Sequence, residues 1–126
     1  MDRKEAHKIL TTKAKKHGRF YVAPKEERTA DGKVFDSRRE MNRYLELKIL
    51  ESAGLIEGMQ CQPVFPVKIN DLPYCKYTPD FLYFNVDKKC DVIEDVKSSG
   101  TQKDAAYRLR KKAAELYHGI KIVEIL

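Results

Sequence analysis

No apolar run in this chain approaches the roughly 18–20 residues that a membrane span needs, so no membrane-crossing segment is expected. Cysteine is scarce. Cys61, Cys75 and Cys90 are an odd count with no CxxC pair, which argues against a disulfide framework and favours a reducing, cytoplasmic setting. The same spacing gives no support to a zinc site. The expected role of the three is that of small buried hydrophobes on strands. The histidines His7, His17 and His118 form no cluster in the sequence, so a histidine-based metal site is not expected either. There is no internal repeat and no low-complexity linker. The opening Met1-Asp2-Arg3-Lys4-Glu5 is charged, and no secretory signal is expected.

What is present in excess is positive charge. The formal net charge is +6 over 126 residues. Residues 1–19 hold seven basic side chains against two acidic ones, which is +5 of that total. The expected organisation is therefore a basic arm, residues 1–19, followed by a single domain, 20–126. A second basic cluster is Arg108-Leu109-Arg110-Lys111-Lys112. Clustered positive charge suits a polyanion, because each neutralised phosphate releases counterions. A solubilising arm and a solvated helix face would give the same composition.

Residues 2–16 are read as a basic helix or as a segment that orders on binding. Within Glu27–Phe35, Asp31-Gly32 signals a type I′ hairpin. Ser37-Arg38-Arg39-Glu40 is a capping box, serine followed three residues later by glutamate. Helical spacing continues to about Ala53, where Gly54 is placed to close the helix. Met59–Ile69 reads as an edge or irregular strand, because Pro63 and Pro66 cannot donate to a ladder. Tyr74–Val86 reads as one long aromatic strand. Asp87-Lys88-Lys89 turns the chain into a third strand, Cys90–Lys97, which Ser98-Ser99-Gly100 breaks. Thr101-Gln102-Lys103-Asp104 resembles a helix cap. Ala106, Leu109, Ala113 and Leu116 mark one face of a helix reaching about Tyr117. Gly119 ends it, and Ile120–Leu126 is a last strand. The fold class is α/β, a mixed central sheet flanked by helices in the order α-β-β-β-α-β.

Strand side chains alternate faces, so Asp95 and Lys97 share one face of the third strand and Glu94 points to the other. Charges at the end of a strand built of Val and Ile are costly to bury unless paired or bound to a metal. A strand of this kind is normally central. Asp80 stands among Pro79, Phe81 and Leu82, where aspartate is disfavoured. If the two strands pair, Asp80 and Asp95 converge at one end of the sheet. Two carboxylates and a main-chain carbonyl suit a hard divalent cation, and a neighbouring lysine can orient water or stabilise charge on a phosphate. The plainer readings are an exposed Asp95–Lys97 pair and a turn role for Asp80. Glu40 already has a role as the acid of the capping box.

Pro79-Asp80 followed by Asp95-Val96-Lys97 resembles the PD-(D/E)xK nuclease motif, in the matching element order. Phe35-Asp36-Ser37 leading to Glu40, Leu50-Glu51-Ser52-Ala53-Gly54, Gln62-Pro63 with Phe65, and Glu94-Asp95-Val96-Lys97 resemble a small phage-associated family within that superfamily. The likeness covers residues from about 30 to 126. It implies a restriction-endonuclease-like core and Mg²⁺-dependent endonuclease activity, with Mn²⁺ able to substitute. It implies metal ligation by Asp80, Asp95 and the Val96 carbonyl, with Glu40 assisting and Lys97 as the catalytic lysine. Asp95 departs from the glutamate of many members, which shifts the ligand geometry. The chain has no room for a separate base-reading domain, so DNA shape and backbone would be recognised. Branched DNA, a homodimer, and a place in phage or mobile-element recombination or packaging complexes follow by analogy. Lys13, Lys15, Lys16, Arg19, Lys103, Arg108 and Lys111 are the expected nucleic-acid contacts. The alternative is a protein that binds DNA without cutting it, or cuts only with partners.

Overall fold

The computed structural model describes residues 22–98, 100 and 103–126. The basic arm with Lys13, Lys15, Lys16 and Arg19, and residues Thr101 and Gln102 of the expected cap, lie outside the described residues. The chain forms two compact units, divided between Met41 and Asn42.

In the first unit, a 3-10 turn at Lys25–Arg28 leads into β1 (Thr29–Ala30) and β2 (Lys33–Val34), an antiparallel pair. Asp31 and Gly32 have φ of 50° and 76°, the two positive values that a type I′ turn requires. The Arg28 guanidinium ties the entry and exit of this hairpin together, donating to the carbonyls of Ala23 and Phe35 at 2.9 and 2.5 Å. Ser37 then caps helix α1 (Arg38–Ser52), its hydroxyl accepting from the Glu40 amide at 3.0 Å.

In the second unit, α1 ends at Gly54, whose φ of 78° suits glycine. Its amide bonds to the Glu51 carbonyl, and the Leu55 amide to the Leu50 carbonyl, which closes the helix. The strand expected at Met59–Ile69 is two strands, β3 (Ile56–Cys61) and β4 (Phe65–Ile69). Gln62, at φ 52°, and Pro63 break it. The strand expected at Tyr74–Val86 also divides, into β5 (Leu72–Tyr77) and β6 (Phe81–Asn85), on either side of Thr78-Pro79-Asp80. The chain therefore leaves its main sheet after β3, makes a separate antiparallel ribbon of β4 and β5, and returns at β6.

The main sheet has four strands in the order β3-β6-β7-β8, with β7 at Cys90–Val96 and β8 at Ile122–Ile125. The β3–β6 and β6–β7 pairs are antiparallel, and β7–β8 is parallel. Helix α2 (Ala105–His118) supplies the crossover that a parallel pair demands. Its cap is Asp104, which accepts from the Ala106 amide at 3.3 Å. Gly119, at φ 64°, ends it.

The face of α2 marked by Ala106, Leu109, Ala113 and Leu116 is not its buried face, although Ala113 packs in part against the core. Tyr107 and Ala114 face inward, whereas Leu109 and Leu116 are 71% and 72% exposed. The apolar residues of α2 occur on both sides of the helix, so spacing alone does not select the inner one. The inward pair packs with Val67 and Tyr77 of the ribbon and with Ile93 and Ile122 of the sheet. The opposite sheet face carries Phe81, Tyr83 and Glu94, and Arg43 of α1 bonds to Glu94 there. Two glutamates fasten the helices to the strands that follow. Glu51 accepts from the Met59 amide at 3.1 Å, and Glu115 from the Ile122 amide at 3.0 Å. The cysteines are free, but only Cys61 and Cys75 are half-buried; Cys90 is exposed at the mouth of a turn.

Candidate functional site

Pro79 sets the position of Asp80. It lies in the break between β5 and β6, where three groups of Asp80 are used at once. Its amide donates to the Glu94 carbonyl at 3.1 Å, and its carbonyl accepts from the Gln62 amide at 2.8 Å. Its Oδ2 accepts from the Val96 amide at 2.7 Å. Asp80 is 8% exposed. Asp80 thus meets the third strand through the backbone of Val96, the residue between Asp95 and Lys97.

Asp95 is 1% exposed. Its Oδ1 lies 3.0 Å from Nζ of Lys97, on the shared face that strand alternation requires. Its Oδ2 accepts from the Tyr77 hydroxyl. Lys97 extends the β7–β8 ladder, its amide donating to the Ile125 carbonyl at 2.9 Å. Its ammonium also stands 4.9 Å from the centre of the Tyr107 ring, within cation–π range. The carboxylate is therefore buried and the lysine half-buried, and each charge has a partner. Burial, with the Asp95 carboxylate beside it, pushes the Tyr77 hydroxyl far above the ordinary tyrosine range. Burial does the same to Tyr107.

Glu94 points the other way, as strand alternation expects. Arg43 grips it with Nε and Nη2 at 2.8 and 2.6 Å, and the Tyr83 hydroxyl donates to it as well. That satisfies a fully buried carboxylate with a bidentate cation and a hydroxyl. Adjacent acids on β7 thus have opposite surroundings: Glu94 is locked by arginine, and Asp95 is shared by a tyrosine and a lysine.

Glu40 is buried in the first turn of α1, where its amide serves the Ser37 cap. Lys103 and Arg108 are exposed. Lys111 is half-buried and pairs with Glu124 at 3.0 Å. With Lys112, Glu115 and Glu124 they line an open groove of about 770 Å³ beside α2. Glu124 is the register neighbour of Asp95 on β8. Sequence reasoning missed Tyr77, Glu124 and Arg43. Tyr77 and Arg43 lie 18 and 51 residues from their acids, and no local pattern links positions so far apart.

Among the described residues, no group of three or more His, Cys, Asp and Glu side chains could hold a metal ion. None of their helices is long and apolar enough to cross a membrane.

The class defined so far is a mixed α/β fold with a largely buried Asp–Lys pair beside a buried aspartate. Residues 19–125 match the family model described as protein of unknown function DUF1064, and the chain belongs to that family. No curated protein and no solved structure matches the chain.

Proposed function

We propose that this protein is a metal-dependent DNA endonuclease. The observation that carries the reading is the hydrogen bond from the Val96 amide to Asp80, which sets two buried carboxylates and a lysine around one dipeptide step. The resemblance of Pro79-Asp80 and Asp95-Val96-Lys97 to the PD-(D/E)xK motif agrees with it. So does the four-stranded sheet, whose strands and helices run α-β-β-β-α-β once the ribbon is set aside.

The donor set fits magnesium. That ion keeps several waters and needs only one or two carboxylates, so Asp80, Asp95 and a main-chain oxygen of Val96 suffice without a third acid. Among the described residues, Oδ1 of Asp95 takes no hydrogen bond and meets the Lys97 ammonium, which leaves it as the donor best able to change partner. When bound, the ion would supply a more nucleophilic water and offset charge on the phosphate. Tyr77 holds Asp95 in place from the other oxygen. Lys97, released toward the phosphate, stabilises the negative charge that builds on its oxygens. The groove beside α2, with Lys103, Arg108 and Lys111, offers a path for neighbouring phosphates. The small domain favours reading DNA shape, and branched DNA cut symmetrically by a homodimer is the finer form of the proposal.

The test is Mg²⁺-dependent cleavage of a four-way junction, a nicked duplex, a linear duplex and single-stranded DNA, with Asp80→Ala alongside. Cutting that disappears in the variant supports the reading. Folded protein that binds DNA and never cuts it favours a second one, a non-cutting DNA-binding protein. The observation behind that second reading is that Tyr77 and Lys97 already compensate both oxygens of Asp95.

A further inference from the structure

We propose that the tip of the β4–β5 ribbon is a wedge that sets Ile69 and Leu72 against an exposed base step in DNA, at a branch, nick or duplex end. The inference rests on the nucleic-acid reading above and names the feature of DNA that the site selects.

The ribbon has a fixed root and an apolar tip. At the root, Val67 and Tyr77 belong to the buried core, and the Tyr77 hydroxyl reaches Asp95. His118 of α2 bonds to the Pro66 carbonyl at 2.7 Å, and its ring meets Phe65 edge-on. At the tip, Asn70 and Asp71 turn the chain with φ of 51° and 64°. Hairpin tips are normally polar. Here Ile69 and Leu72 face each other across the turn, 52% and 68% exposed. The register slips by one residue between Val67 and Lys68, which leaves Tyr74 as the extra, outward-facing residue. A bulge at such a place re-aims a side chain.

The surroundings select the occupant. Pro66 and Pro73 lie in the two strands of the ribbon, and neither can donate to an added strand, so pairing with a second copy through a ribbon edge is disfavoured. Lys68 and Lys76 are exposed on the same ribbon and suit phosphates, with Asp71 the single acid at the tip. A narrow convex point bearing aliphatic side chains fits a gap better than a flat surface. Proteins insert Leu and Ile between base steps in this way, unstacking and kinking the duplex. The cost is least where bases are already unpaired or poorly stacked. An exposed tyrosine beside the point offers a further stacking face. Because β5 runs from the wedge to Thr78-Pro79-Asp80, the unstacked step would be held at a fixed distance from the site.

The experiment compares the full chain with Ile69→Ser/Leu72→Ser, in chelator so that no cutting occurs. Binding is read by fluorescence anisotropy on a four-way junction and on a linear duplex, with 2-aminopurine beside the branch point. Wild-type protein is expected to prefer the junction and brighten the fluorophore. The variant is expected to keep its linear-duplex affinity and lose about tenfold on the junction, the worth of one stacked base, along with the fluorescence gain. Both altered positions are exposed, so circular dichroism should be unchanged. A variant with preference and signal intact overturns the wedge, as does equal loss on both substrates. Wild-type dimers that the double substitution dissociates would assign the tip to a second copy instead. Wild-type protein that binds no DNA overturns the nuclease reading as well, whereas the other outcomes touch the wedge alone.

Discussion

The Tyr77 hydroxyl donates a hydrogen bond to Oδ2 of Asp95, joining the last residue of β5 to a carboxylate in the interior of the main sheet. Tyr77→Phe removes the donor and leaves the oxygen buried without one. The expected cost is about 1–3 kcal/mol in urea-induced unfolding, the penalty of an unsatisfied buried acceptor. Stability unchanged within error would mean that water or Lys97 replaces the hydroxyl.

Arg43 and Glu94 make the stronger prediction. The hydrogen bonds that it donates to Glu94 hold the Arg43 guanidinium above even its usual high range, despite the opposing effect of burial. Arg43→Ala strands the glutamate, and the expected loss is about 3–5 kcal/mol. Arg43→Met with Glu94→Leu removes both charges and should recover much of it. A double variant as unstable as the single one would show that shape, not charge, sets the cost.

Alkali should act through the tyrosines. Tyr77, Tyr83 and Tyr107 all have pKa values raised in the folded state, burial being the first cause of each. Their contribution is complete below the unfolded value of about 10 and is lost as pH rises past it, because the unfolded chain then releases protons that the folded chain keeps. Three of the seven tyrosines should therefore ionise only as the protein unfolds. Tyrosinate absorbance recorded beside circular dichroism checks this. Full ionisation of a folded chain would contradict it.

Lys97→Ala should reduce cleavage by about 10²–10³-fold, the range for losing one charge-stabilising group, while DNA affinity stays nearly constant. Parallel loss of affinity and cleavage would assign the lysine to folding or simple binding.

Removing residues 1–19 should flatten the salt dependence of DNA binding. For every phosphate that the shortened chain no longer neutralises, the slope of log K against log salt falls in magnitude by about 0.9. An unchanged slope would separate the arm from the phosphates.

Local chemistry was legible in the sequence and distant chemistry was not. Asp31-Gly32, Ser37 and Gly54 each encode a turn or cap within a few residues, and each stands where expected. Alternation along β7 separated Asp95 from Glu94 correctly. The irregularity at Pro63 was legible, whereas the break at Pro79 was not, since Tyr74–Val86 reads as one strand. That they divert the chain into a separate ribbon depends on pairing, which composition does not encode. The inner face of α2 was not legible, because Leu109 and Leu116 mimic a core stripe, while Tyr107 was selected by its neighbours Tyr77 and Ile93. Of the candidate site, the acids and the lysine could be named in advance; the tyrosine and arginine that hold them could not.

The parallel pairing of β7 with β8 bears on how the protein is made. Asp95 and Lys97 lie on a strand whose second neighbour is encoded after α2, and the Lys97 amide closes on Ile125. Until β8 joins, these residues lie on an open edge whose main-chain groups have no partner strand. The candidate site is therefore complete only after the segment that follows α2 has folded onto β7.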